Sequence, residues 1–94
     1  MSLKYTWDEG KNRANRRKHG IDFADAPTIF NHPMVTLLDH RKEYGEDRWV
    51  GIGWLSDFLA VVVFTEPDAE TVRIISVRKA HRHEQNIYTA EIRN

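Results

Sequence analysis

Ionisable side chains crowd one stretch of this 94-residue chain, Ser76-Val77-Arg78-Lys79-Ala80-His81-Arg82-His83-Glu84, with Tyr88 one helical turn further on. Arg78, Lys79 and Arg82 are cations that could hold a phosphoryl centre and the charge developing on it. Glu84 could move a proton and Tyr88 could donate one. Such a set can cut RNA without a metal. A base takes the 2′-hydroxyl proton, cations hold the phosphorane, and an acid protonates the leaving 5′-oxygen. The competing reading is a surface helix start with solvated charges. His19 is a second candidate for proton transfer, because histidine alone titrates near neutrality unperturbed. Beside Gly20 it equally suits a cation at a helix C-terminus.

Other residues that could carry chemistry fit plainer roles. The five histidines invite a metal, but His81 and His83 are two apart and fall on different faces of a helix, while His32 and His40 lie in loop-like stretches. No H-E-x-x-H or carboxylate cluster completes a site, and there is no cysteine, so disulfides, Cys-type zinc sites and thiol nucleophiles are excluded. No metal or cofactor is expected. Trp7, Trp49 and Trp54 could stack bases, or fill the core. Gly51 and Gly53 could admit a ligand, or make room for Trp49 or a helix packed across the strand.

The junction needs elements to position it. Trp7-Asp8-Glu9 offers an N-cap and an acidic first turn, and Lys18-His19-Gly20 offers cations and a glycine just past the end. The helix between them is nearly all polar, so core packing alone does not explain it. A shorter helix follows, capped by Asp22, with Phe23, Ala26, Ile29 and Phe30 at helical spacing, Pro27 awkward inside it, and Asn31-His32-Pro33 ending it. Then the period turns to that of strands: Met34–Leu38, Arg48–Trp54, Phe58–Thr65 and Thr71–Val77. A polar loop over Asp39–Asp47 and turns at Leu55–Asp57 and Pro67–Glu70 separate them. In the last strand Val72, Ile74 and Ser76 alternate with Arg73, Ile75 and Val77. A helix from about His81 ends the chain. Two helices, a four-stranded antiparallel meander and a C-terminal helix make an α+β fold.

Length and composition bound the rest. The chain is one small domain, residues 1–94, with a single core. Its longest apolar run, Phe58 to Thr65, is far short of the roughly 20 residues that span a membrane. The first residues lack a signal peptide's apolar stretch, and a cytoplasmic protein is expected. Lys plus Arg and Asp plus Glu are 14 each, a balance that taken alone disfavours nucleic acid. The layout differs. Residues 1–20 hold six cations against two acids (+4), residues 21–72 three against ten (−7), and residues 73–94 five against two (+3). If the basic ends adjoin, they form a patch suited to phosphate. Otherwise they are solvated faces with ordinary pairing.

Taken together, Trp7-Asp8-x-x-Lys11-x-x-x-Asn15-x-x-Lys18-His19-Gly20-Ile21-x-Phe23-x-x-Ala26, Asp39, Glu46-x-Arg48-x-x-x-Gly53 and Ile74-Ile75-Ser76-x-Arg78-Lys79-Ala80-x-Arg82-x-Glu84-x-x-x-Tyr88 resemble the BrnT family of type II toxins. The likeness runs from about Tyr5 to Tyr88; the first and last motifs together are specific. The chain departs from the family pattern at Pro27 and at His81 and His83. The resemblance implies a RelE-like ribonuclease that arrests translation. It also implies a BrnA-like ribbon-helix-helix antitoxin as partner, two toxins around an antitoxin dimer, with operator DNA reached only through the antitoxin. It marks Lys11, Lys18, His19, Arg48, Arg78, Lys79, Arg82, Glu84 and Tyr88. Among these we assign Arg78, Lys79, Arg82, Glu84, His19 and Tyr88 to catalysis, and Lys11, Lys18 and Arg48 to RNA binding. The alternative is a non-enzymatic module that binds nucleic acid or docks an antitoxin in operon autoregulation.

Overall fold

The computed structural model describes residues 3–39 and 46–93; His40 and most of the Asp39–Asp47 loop lie outside this range. The elements are β1 (Lys4–Thr6), α1 (Glu9–His19), a 3-10 segment (Phe23–Asn31), β2 (Val35–Leu38), β3 (Trp49–Leu55), β4 (Phe58–Asp68), β5 (Thr71–Lys79) and α2 (Arg82–Arg93). The α+β class and the antiparallel meander β2 to β5 are as expected. The sheet itself is larger and mixed. Among the described residues it has five strands in the order β1-β5-β4-β3-β2, and β1 lies parallel to β5, Tyr5 opposite Val72. Three residues of mixed polarity carry no strand period, so nothing local announced β1; its partner lies more than sixty positions away.

The second helix is also corrected, from α to 3-10. Phe23, Ala26 and Ile29 are all fully buried. Their spacing of three matches the 3.0-residue turn of a 3-10 helix, and Pro27 lacks the N–H that an α-helix would use. Asp22 starts the segment by accepting from the Ala24 N–H at 2.9 Å.

One sheet face carries the main core, with the 3-10 segment laid across it and Phe23, Ile29, Val62, Phe64, Ile74 and Val77 inside. Gly51 and Gly53 make room for it. A Cβ on Gly53 would stand 2.9 Å from Ile29 Cγ2, and one on Gly51 2.5 Å from Met34 Sδ. Trp7 and Trp49 pack against this core, Trp7 edge-on to Phe23. Among the described residues the other face is only partly covered. There Tyr88 of α2 and Ala80, just before the helix, pack against Ile52 and Val61, and an exposed Trp54 meets the Tyr88 ring edge-on.

Strand β5 contains a bulge. Phe64 pairs with Ile74 but the adjacent Val63 pairs with Ser76, so Ile75 is an extra residue. A regular strand would put residues 72, 74, 76 and 78 on one face, as the simple alternation predicts. The bulge reverses the parity: Val77 joins Val72 and Ile74 in the core, and Ser76 and Arg78 turn to the open face.

Candidate functional site

The part of the second face that the described residues leave open is a cleft of about 780 Å³, bounded by the end of α1, the start of α2 and the strands between them. Lys18, His19, Ser76, Arg78 and Glu84 form one rim, Asp39 stands among the lining residues, and Leu37, Leu38, Val50, Val61 and Val63 complete it. The two basic ends of the chain therefore meet at this rim.

Helix α1 reaches the site through hydrogen bonds rather than grease. Its buried residues are Asn12 and Asn15. Asn15 donates through Nδ2 to the carbonyls of Val77 at 2.9 Å and Ile21 at 3.0 Å, and its Oδ1 accepts from the Val77 N–H at 3.1 Å. The short strand β1 covers only Thr71–Arg73 of the β5 edge. Further along, the Asn15 carboxamide continues the ladder in place of a strand. Asn12 accepts from the Phe23 N–H at 2.9 Å and donates to Asp22 at 3.0 Å, tying α1 to the 3-10 segment. This is why so polar a helix is ordered against the sheet. Asp8 caps its start, accepting from the Lys11 N–H at 3.0 Å, and Gly20 ends it at φ 72° with its N–H on the Arg16 carbonyl. His19 lies one turn beyond Asn15, and Arg78 follows Val77, so the Asn15–Val77 clamp brings imidazole and guanidinium to one cleft.

Arg78 and Glu84 form a bidentate pair: Nη1 and Nη2 donate to Oε1 and Oε2 at 2.7 and 2.6 Å. The pair is partly withdrawn from solvent, with side chains 30% and 12% exposed. Glu84 also accepts from the His81 N–H at 2.7 Å, closing the first turn of α2. The Arg78 bonds, and behind them the His81 N–H, hold the Glu84 carboxyl down at about 2 although burial opposes this. A carboxylate so stabilised is a weak proton acceptor at neutral pH, and its geometric effect is to fix the guanidinium plane. His19 is shifted down, first by partial burial and then by the positive Lys18 and Arg78 nearby. Both effects favour the neutral imidazole, the form a base requires.

The remaining marked residues stand outside the lining. Lys79 is exposed, its Nζ 5.3 Å from the centre of the Phe58 ring. Arg82 is exposed at the first position of α2. Lys11 is exposed two turns before Lys18 on the same side of α1. Arg48 is half-buried just before β3, and its carbonyl accepts from the Asp39 N–H at 2.7 Å. Tyr88 is buried under Trp54 and donates to the Pro33 carbonyl at 3.0 Å, anchoring α2 to the segment before β2. None of the three tryptophans lines the cleft. The Leu/Val lining and Asn12 had no role from sequence. Asparagines three apart in a helix without an apolar stripe were the available signal for the clamp. Among the described residues no three His, Asp or Glu side chains gather as a metal site would need, and no helix there is long and apolar enough to cross a membrane.

Comparison with known proteins agrees with the resemblance. A family model described as "Ribonuclease toxin, BrnT, of type II toxin-antitoxin system" matches residues 7–84. The crystal structure of the Brucella abortus ribonuclease toxin BrnT is 30% identical, with a TM-score of 0.65, covering 86% of this chain and 100% of that one. No curated protein matches the chain. With its motifs, its fold and this family match in agreement, the chain belongs to the BrnT family of ribonuclease toxins of type II toxin–antitoxin systems.

Proposed function

We propose that this chain is a metal-independent, RelE-like endoribonuclease that arrests translation from the cytoplasm as a single toxin domain. The observation that carries the reading is the cleft rim, where His19, favoured as the neutral imidazole, and a Glu84-braced Arg78 face the same space. In this mechanism His19 accepts the 2′-hydroxyl proton and the 2′-oxygen attacks phosphorus. Arg78 holds the phosphorane oxygens, and the 5′-oxygen leaves with a proton from the Lys18 ammonium. The products are a 2′,3′-cyclic phosphate and a 5′-hydroxyl. Glu84 acts by positioning Arg78, and Tyr88 by anchoring α2. Lys11, Lys79, Arg82 and Arg48 supply positive charge along the RNA's approach. The partner is a BrnA-like ribbon-helix-helix antitoxin, two toxins flanking an antitoxin dimer, and operator DNA is bound only through it.

The test is the full chain, freed of antitoxin, incubated with RNA in EDTA. Cleavage leaving cyclic phosphate ends is expected, with the rate falling 10²–10⁴-fold in His19→Ala, about the contribution of a general base. Intact RNA with folded protein, or activity abolished by EDTA, refutes the mechanism. Stoichiometric protection of RNA with steep salt dependence and no products would leave a binding module instead.

A further inference from the structure

The bulge in β5 turns Ser76 to the cleft together with Arg78. From Ser76 on, the strand pairs regularly with β4, so residues 76 and 78 leave the same face while Val77 enters the core between them. Their Cα atoms therefore stand about 6.5–7 Å apart, the repeat of two residues along a strand. Without the extra residue Ile75, Ser76 would join Val72 and Ile74 on the core face. Ser76 is half-buried, with Val63 opposite it across the ladder. Among the described residues no hydrogen bond is made by its hydroxyl. A hydroxyl withdrawn from water needs a partner, and a strand position between Ile75 and Val77 is otherwise suited to another β-branched apolar residue. Bulges beside active sites re-aim side chains for use.

We propose that Ser76 is a further catalytic residue of the ribonuclease, its Oγ–H donating to one non-bridging oxygen of the scissile phosphate while Arg78 holds the other. This rests on the ribonuclease reading, with the phosphate at Arg78. When the 2′-oxygen attacks, negative charge builds on both non-bridging oxygens. A fixed hydroxyl donor then bonds more strongly to the phosphorane than to the starting diester. Ser76 neither gives up nor takes a proton. The bond formed joins the 2′-oxygen to phosphorus, the bond broken is that to the 5′-oxygen, and proton transfer stays with His19 and Lys18. Arg78 is braced by Glu84 from α2, whereas Ser76 is carried by the sheet alone, so the two donors are fixed by different elements.

The test uses the full chain and RNA carrying one phosphorothioate at the cleavage site, each diastereomer separately. Sulfur is a poor hydrogen-bond acceptor, so each diastereomer reports on one non-bridging oxygen. Ser76→Ala should slow cleavage of the all-oxygen RNA on the order of tenfold to a hundredfold with the pH profile unchanged, a moderate loss for one donor because Arg78 shares the charge. Ser76→Thr, which keeps the hydroxyl and suits a strand, should recover most of the rate. In one diastereomer sulfur replaces the oxygen that Ser76 serves; there the two changes remove the same bond, and their effects should not multiply. In the other diastereomer they should multiply. A Ser76→Ala rate equal to wild type, or effects that multiply in both diastereomers as for a merely structural serine, overturns the proposal. A 2′-O-methyl strand, which cannot be cleaved, separates this claim from the reading beneath it. If ordinary RNA stays intact while Ser76→Ala weakens binding of that strand several-fold, the phosphate contact stands and the ribonuclease mechanism fails. Cleavage that Ser76→Ala leaves unchanged does the reverse. Intact RNA with unchanged binding sinks both.

Discussion

Replacing Glu84 by Gln removes the charge that Arg78 grips while keeping the side chain's length and a carbonyl oxygen for the His81 N–H. The structure sets the size of the effect. The carboxyl lies at about 2 in the folded chain against an ordinary 4.5. At about 1.4 kcal/mol per pH unit that gap corresponds to ~3 kcal/mol. The exposure of Arg78 lowers the expected loss to about 2 kcal/mol at pH 7. The sign follows from the lowered value: the contribution is complete above pH 4.5 and fades as pH falls toward 2. Urea unfolding of both proteins, followed by tryptophan fluorescence at pH 7, 4.5 and 3, measures it. The difference should shrink steadily on acidification, and E84Q should lose less stability to acid than the parent. A difference that is negligible at pH 7, or equal at pH 7 and 3, would refute the claim that Glu84 is held ionised by Arg78. In catalysis E84Q should slow cleavage yet keep the low-pH limb of the rate profile, because that limb belongs to His19.

Asn15→Ala leaves the Val77 and Ile21 backbone groups without their partner and should cost about 2–4 kcal/mol, read as a lower urea midpoint. Gly53→Ala drives a methyl to 2.9 Å from the branched Ile29 side chain and should destabilise by roughly 1–3 kcal/mol in the same assay. Arg78→Lys keeps the charge but loses the two-pronged bond to Glu84; cleavage should fall at least tenfold, and wild-type rates would remove Arg78 from the mechanism. Cleavage should rise with pH through a value below 6.5 and then level off, as required of a base whose neutral form does the work; a rate that falls across that range would exclude His19.

What could be read in advance was mostly local. Asp8, Gly20 and the acidic and basic turns announce α1 through orphan backbone groups that any helix must satisfy. Short turns announce the meander. The parallel strand β1 depends on a distant partner, the 3-10 geometry on the balance between Pro27 and a three-residue apolar spacing, and the bulge on pairing with β4. The site divides the same way. Arg78 and Glu84 stand out as clustered charge, but their mutual bond depends on how β5 runs into α2. Lys79 and Arg82 share their neighbourhood in sequence while lying outside the cleft lining, because neighbours along an element point in different directions.

The Asn15 clamp bears on how the site ages under mutation and heat. Apolar interfaces can slide or repack by fractions of a turn at small cost. A carboxamide engaged by donors and acceptors on two segments has one setting, and a shift of helix α1 by a single residue breaks all its bonds together. The spacing of imidazole and guanidinium across the cleft is thereby digital rather than graded. Variants at Asn15 should divide into those that keep the full alignment and those that lose it, with few intermediates.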